Sequence, residues 1–282
     1  MIAGDLFPSR WSLPDGRLVA LASKGDGTPD SEQLALVTAD GTVTRVGPAA
    51  ATVREPAVDP QGRWILVAIN QDGHSDLYRL ELAGDKLARL TDDKQGNFTP
   101  ALAGSSIVFA SSRDGDSEIY RLPIAATAKT KAQRLTAFHR DDLDPMPSPD
   151  GKTIAFLSDR EGAMRIFLMA PDGTKQRRLT DRSEPASELE PTWSRDGTTL
   201  AYIVERKAER LLIVRDVAAG TERTLTPPTV RDAEPSFSPD GKWIAVARAA
   251  NGESDLVALP VAGGEPIRIT TSPTLERLPR WH

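Results

Sequence analysis

The 282-residue chain contains no cysteine, which excludes disulfides, thiolate metal sites and a cysteine nucleophile. Aromatic residues make up only 5% of the chain, too few to indicate a stacking platform for sugars. No apolar run reaches the length of a membrane span, and residues 1–4 lack the basic start and apolar stretch of a signal peptide. The net charge of −5 argues against a general nucleic-acid surface. We therefore expect no membrane insertion, no nucleic-acid partner and a monomeric chain.

The chain consists of six copies of one sequence repeat. Each copy has a turn glycine, and successive turn glycines are 46, 42, 47, 46 and 44 residues apart: Gly16, Gly62, Gly104, Gly151, Gly197 and Gly241. A period in the forties with four short apolar stretches per copy is typical of β-propeller blades. The sequence predicts an all-β, six-bladed β-propeller with four-stranded antiparallel blades. The blades of this single domain are expected at residues 8–51, 52–95, 96–140, 141–186, 187–230 and 231–276, with residues 277–282 as a closing strand.

Each copy can be interpreted strand by strand. A proline precedes the first strand, where its missing N–H is tolerated. The turn Ser148-Pro149-Asp150-Gly151 follows, in which proline presets φ and glycine takes positive φ, so its acid is interpreted as structural. The second and third strands are apolar on both faces, so neighbouring blades must cover them. The fourth strand carries arginine in five copies, which we interpret as protection of an exposed sheet edge: Arg45, Arg89, Arg134, Arg178 and Arg268.

Residues 148–160 (SPDGKTIAFLSDR) and 177–180 (RRLT) resemble the TolB-type propeller repeat, and the resemblance extends over most of the chain. It implies a periplasmic or otherwise extracytoplasmic location. No counterpart of the α/β domain that precedes the TolB propeller is evident, so we expect a propeller alone. The same repeat occurs in gating domains of prolyl-oligopeptidase-like enzymes, in sensor domains and in polysaccharide lyases, so these alternatives stay open.

The loops that lead into the first strands are acidic. Three successive loops read acid, any residue, acid, proline, and further acids precede Pro56 and follow Leu275: Glu55, Asp142, Asp144, Glu188, Glu190, Asp232, Glu234 and Glu276. Equivalent positions of successive blades converge on one axis, so these carboxylates predict an electronegative channel mouth. The alternative is local, with carboxylates that cap backbone N–H groups or pair with arginines. Arg113 and Arg160 occupy matching places after the second strand and are expected at the rim, facing these acids.

The densest ligand-like cluster is His139-Arg140-Asp141-Asp142-Leu143-Asp144. Its oxygens suit a hard cation such as Ca²⁺, and His139, Asp141 and Asp142 are the metal ligands it predicts. An enzyme, a lyase or hydrolase, would hold its metal at the mouth with His74, His139 and nearby acids. The Gly-x-Ser-x-Gly motif of serine hydrolases is absent.

The sequence favours a non-catalytic, cofactor-free propeller that binds a protein or peptide at the acidic mouth. Its partner-binding residues are Glu55, Asp142, Asp144, Glu188, Glu190, Asp232, Glu234, Arg113 and Arg160. The alternatives are the metal-dependent lyase or hydrolase and a sensor or gating domain from a larger protein.

Overall fold

The structure is a computed structural model that describes residues 18–23, 32–37, 43–47, 52–71, 73–183, 185–207, 209–238, 240–250 and 253–268. Over these ranges the chain forms strands and turns but no helix, so it has no helix that could span a membrane there. The strands form six antiparallel sheets. The predicted all-β, six-bladed propeller is confirmed. The predicted closing strand, residues 277–282, lies outside the described ranges.

The chain divides into two compact units, Met1–Pro145 and Met146–His282. The first sheet of the first unit has three described strands, and the next two have four. The strands are β1 (Leu18–Ser23), β2 (Glu32–Val37), β3 (Val43–Arg45), β4 (Thr52–Val58), β5 (Trp64–Gln71), β6 (His74–Glu81), β7 (Lys86–Arg89), β8 (Asn97–Ala103), β9 (Ser106–Asp114), β10 (Asp116–Pro123) and β11 (Gln133–Arg134).

The fourth sheet begins with β12, in which the boundary between the units falls, and the fifth and sixth sheets follow. In every sheet each strand pairs with the next along the chain. The strands are β12 (Asp142–Pro147), β13 (Ile154–Ser158), β14 (Arg165–Met169), β15 (Arg177–Arg178), β16 (Ser187–Trp193), β17 (Thr199–Arg206), β18 (Glu209–Asp216), β19 (Glu222–Thr224), β20 (Arg231–Phe237), β21 (Trp243–Ala250), β22 (Glu253–Pro260) and β23 (Ile267–Arg268).

The turn between the first and second strands of a blade is held by its acid. The Asp150 carboxylate accepts hydrogen bonds from the Ser148 hydroxyl at 2.7 Å and from the Lys152 N–H at 3.1 Å. These bonds, with the Ser148 bond the strongest influence, lower the pKa of Asp150 from 3.8 to about 2. Gly151 takes a φ of 68°, as predicted, a conformation that costs glycine little. The acid therefore belongs to the hairpin.

Neighbouring blades bury each other's faces. One core cluster joins β5 and β6 to β9 and β10 through residues that include Leu66 and Phe109. A second cluster joins β17 and β18 to β21 and β22 through residues that include Ile203 and Val246. All five residues of β13 are buried, and so are all five of β14, which means that both faces of these strands are covered. The expected mutual cover of the blades is confirmed.

In two blades the arginine of the fourth strand lies at the sheet edge, and its side chain also binds a buried acid on the third strand. In the second blade, Arg89 donates to the buried Asp76 carboxylate at 2.5 Å, and the Thr91 hydroxyl donates to the same carboxylate at 2.7 Å. In the third blade, Arg134 and Thr136 make the equivalent bonds to the buried Glu118 at 2.7 and 2.5 Å. In these two blades the arginine and threonine of the Arg-Leu-Thr motif thus bind the fourth strand to an acid on the third strand.

Candidate binding surface at the blade ends

The first strands are irregular at the acid that precedes proline. Asp144, Glu190 and Glu234 have left-handed φ values of 48°, 55° and 56°. The pairing register shifts at the same place, between Leu189 and Thr192 in β16 and between Ala233 and Ser236 in β20. A β-bulge places an extra residue in one strand opposite its partner, and the positive φ at the acid belongs to this local distortion of the backbone. In a regular strand, residues two apart share a face. In β16 and β20 the bulge frees the two acids of the motif from that rule.

The first acid of each motif is buried. Asp142, Glu188 and Asp232 all have 0% of their surface exposed. Asn97, which also lies three residues before a proline, is equally buried. A carboxylate at such a position must be satisfied by bonds inside the protein.

Glu188 joins its blade to the preceding one. Its Oε2 accepts the Ile166 N–H of β14 at 3.0 Å, and its Oε1 accepts a short hydrogen bond from the Thr180 hydroxyl. The guanidinium of Arg165, also buried, lies 3.8 Å from Oε1. In this blade the carboxylate that holds the threonine comes from the next first strand, because arginine occupies the place that Asp76 and Glu118 hold in the second and third blades.

Asp232 makes a bidentate ion pair. Its two oxygens accept bonds from Nε and Nη2 of Arg248 at 2.7 and 2.8 Å. The two residues face each other across β20 and β21. The hydrogen bonds to Asp232 raise the pKa of Arg248, which therefore stays charged.

The second acid of each motif lies towards the surface. Asp144 is exposed, and Glu190 and Glu234 are partly exposed. Glu190 Oε2 accepts the backbone N–H of Glu234 at 2.6 Å. Equivalent positions in the first strands of the fifth and sixth blades are therefore neighbours.

Arg210 balances part of this negative charge. Its Nη2 donates to Glu190 at 2.7 Å and its Nη1 donates to Glu205 at 2.6 Å. Glu55 lies in β4, but its side chain is outside the described part of the structure, and Glu276 lies outside it entirely.

Arg113 and Arg160 lie over aromatic pairs. The Arg113 guanidinium is 4.5 Å from the ring centroid of Tyr120, and that of Arg160 is 4.5 Å from the ring centroid of Phe167. Arg113 also pairs with Asp93 at 3.1 Å, and its Nη2 donates to the buried Asn97 at 2.7 Å. These contacts combine cation–π attraction with hydrogen bonding and fix both arginines to their own blades.

The predicted metal ligands are not assembled. Within the described ranges, no three His, Cys, Asp or Glu side chains form a group that could hold a metal ion. Asp141 accepts the Ser117 N–H at 2.8 Å, Asp142 is buried and His139 is exposed. His74 lies 3.8 Å from Asp76, which is already engaged by Arg89 and Thr91.

One surface residue was missed from the sequence. Phe138 is 50% exposed in the loop after β11. Its N–H donates to Glu118 at 2.7 Å, and the N–H of Arg140 donates to Asp116 at 3.2 Å, so the loop is anchored on both sides of the ring. Its position could have indicated an exposed side chain, because Phe138 lies in a polar stretch that lacks the alternation of apolar and polar residues typical of a strand.

Comparison with known proteins assigns the chain to a family. The family description "TolB beta propeller domain" matches residues 102–282, more than half of the chain. The Tol-Pal system protein TolB of Francisella tularensis is 25% identical over 81% of this chain and 54% of its own length. An uncharacterized peptidase, YuxL, of Bacillus subtilis is 31% identical over 36% of this chain and 21% of its own length. The chain thus spans between about a fifth and about half of these curated relatives.

Solved structures share the fold. TolB from Acinetobacter baumannii superposes with a TM-score of 0.75 at 23% identity, covering 96% of this chain and 67% of that one. An oligogalacturonate lyase in complex with manganese also gives 0.75, at 17% identity, covering 93% and 76%. At these identities the likeness shows the fold alone. With its six antiparallel blades and the match over residues 102–282, this chain belongs to the TolB β-propeller domain family.

Proposed function

We propose that this propeller is a non-catalytic recognition module that binds an extended, basic segment of a partner protein at the second acids of its first strands. The observation that carries the proposal is the contact between Glu190 and the backbone of Glu234. It makes the second acids of two successive blades neighbours at a surface position. A lysine or arginine side chain from a partner would meet two carboxylates there at once.

Charge is expected to act mainly on the encounter. Glu190 is paired with Arg210, so part of the negative charge is balanced before a partner arrives. Partly solvated ion pairs contribute little affinity each, but they accelerate association and fix orientation. Binding should therefore weaken as salt rises.

In the first unit, Phe138 is a separate candidate for an apolar contact with a partner. Exposed aromatic side chains held on rigid loops are frequent hot spots of protein interfaces. The two hydrogen bonds that anchor its loop reduce the entropy lost on binding. The remaining predicted contact residues keep a supporting role in the proposal. Asp142, Glu188, Asp232, Arg113 and Arg160 would hold the surface in shape, and Glu55 would add charge.

The proposal is tested by site-specific cross-linking in cells of the source organism. A benzoylphenylalanine photo-probe in place of the exposed Arg231, which leaves Glu190 and Glu234 intact, should capture a distinct protein, and the yield should fall when cells are opened into high salt. The matched probe replaces the exposed Glu265, which lies beyond β22 in the turn to the fourth strand. Equal capture at both positions, or none at position 231, would overturn the proposal.

The enzyme alternative gives a different result. A metal-dependent lyase or hydrolase should retain stoichiometric metal through purification, which elemental analysis measures directly. We further propose that the protein acts outside the cytoplasm as a monomer, without nucleic acid as a partner, in line with the family resemblance and the mild net charge.

A further inference from the structure

A second polar site lies in the second unit, beside the buried first-strand acid Glu188, which accepts a hydrogen bond from Thr180 and lies 3.7 Å from Nε of Arg182. A cleft of about 440 Å³ is bounded by the loop after β15 and by the edge of the fifth blade. Its lining residues are Thr180, Asp181, Arg182, Ser183, Arg215, Gly220 and Glu222.

The acceptors of Glu222 are already occupied. Its Oε1 accepts bonds from the Tyr202 hydroxyl and from Arg215 Nη1, each at 2.7 Å, and its Oε2 accepts a short bond from Arg182. Burial, and then the bond to Glu222, raises the pKa of Tyr202, so the phenol remains a neutral donor. Glu222 therefore organises two guanidinium groups and offers little to a ligand.

Donors remain available on Arg215. Its side chain is 14% exposed, and within the described ranges Glu222 is the hydrogen-bond acceptor that engages it. A Cβ placed on Gly220 would lie 3.4 Å from Arg215 Nη2, so the absence of a side chain at Gly220 leaves this nitrogen uncovered on the cleft side. A guanidinium donates five N–H bonds and accepts none, so the cleft is matched to an acceptor-only group.

We infer that this cleft binds an oxyanion, a carboxylate or phosphate group, between Arg182 and Arg215. The planar guanidinium fork suits the paired oxygens of either group. The Ser183 hydroxyl would add a neutral donor. Asp181 opposes the ligand, because its exposed carboxylate lines the same cleft.

The test is an NMR titration of the arginine side-chain N–H signals with inorganic phosphate and, in a separate arm, with acetate, at constant ionic strength set by chloride. The Arg215 and Arg182 signals should shift saturably, with a dissociation constant on the order of millimolar. Saturation by one anion alone identifies which oxyanion is preferred. Shifts that rise linearly with both anions would overturn the inference.

Three variants sharpen the result. Arg215→Gln should abolish saturation, and Asp181→Asn should tighten binding because it removes a like charge from the ligand's surroundings. Arg223→Gln is the matched control, since Arg223 lies on β19 and donates to Ala262 O rather than lining the cleft. If Arg215→Gln fails to fold, Arg182→Gln with Asp181→Asn decides, because opposite changes in affinity are required. Unchanged affinity in both would contradict the site.

Discussion

The two acids of each acid-x-acid-Pro motif stand two residues apart and have opposite environments. Glu188 and Asp232 are fully buried and fully engaged, whereas Glu190 and Glu234 reach the surface. The bulge at the residue before proline separates them, because it breaks the alternation that would have placed both on one face. An acidic motif can therefore place one carboxylate inside the blade junction and the other at the surface.

The largest effect should come from removing Glu188. Glu188→Ala leaves the Arg165 guanidinium buried beside the lost carboxylate and removes the acceptor for Ile166 and Thr180. Breaking a buried pair from one side costs about 3–5 kcal/mol. Urea unfolding should show that loss.

Arg165→Leu in the Glu188→Ala background should recover part of the stability lost, because the buried cation that faced Glu188 is removed as well. A loss below about 1 kcal/mol in the single variant would show that the junction does not depend on this carboxylate.

An effect of intermediate size is expected within one motif, because its two acids should contribute differently to the free energy of unfolding. Asp232→Asn should lower the free energy of unfolding by about 1.5–3 kcal/mol, because the bidentate bond to Arg248 is charge-assisted and buried at the carboxylate. Glu234→Gln, two residues away, should change it by less than about 0.5 kcal/mol. Equal losses of unfolding free energy in the two variants, measured by chemical denaturation, would contradict the difference between first and second acids.

The smallest effect belongs to a third kind of acid, in the hairpin turns. The folded-state pKa of Asp150 is about 2, below its ordinary value of 3.8. The ionised form therefore stabilises the fold above about pH 4, and this contribution is lost as the pH falls through about 2. Asp150→Asn should flatten that part of the profile of unfolding midpoint against pH between 4 and 2. An unaltered profile would mean that the turn does not need the charge.

Much of the fold could be predicted from the sequence because it repeats local rules. Six turn glycines give the blade count, and apolar second and third strands require cover from neighbours. The positive φ of Gly151 follows from its place in the turn.

The burial and the bonding partners of the acids could not be predicted in the same way. Counting along the motif treats Glu188 and Glu190 as equivalent, and only the bulge separates them. Arg165 shows the same limit, because its place in the repeat belongs to an acid in the second and third blades. The compensating carboxylate, Glu188, comes from a strand more than 20 residues away in sequence.

The most direct measurement combines stability and binding in one variant pair. Once cross-linking identifies a partner, its affinity should fall at least about tenfold, or 1.4 kcal/mol, for the double variant Glu190→Gln/Glu234→Gln. The urea midpoint of this variant should stay near that of the parent, and Glu265→Gln should change neither quantity. Unchanged affinity in the double variant, or a loss of affinity that only accompanies unfolding, would contradict the proposal that the second acids form the binding surface.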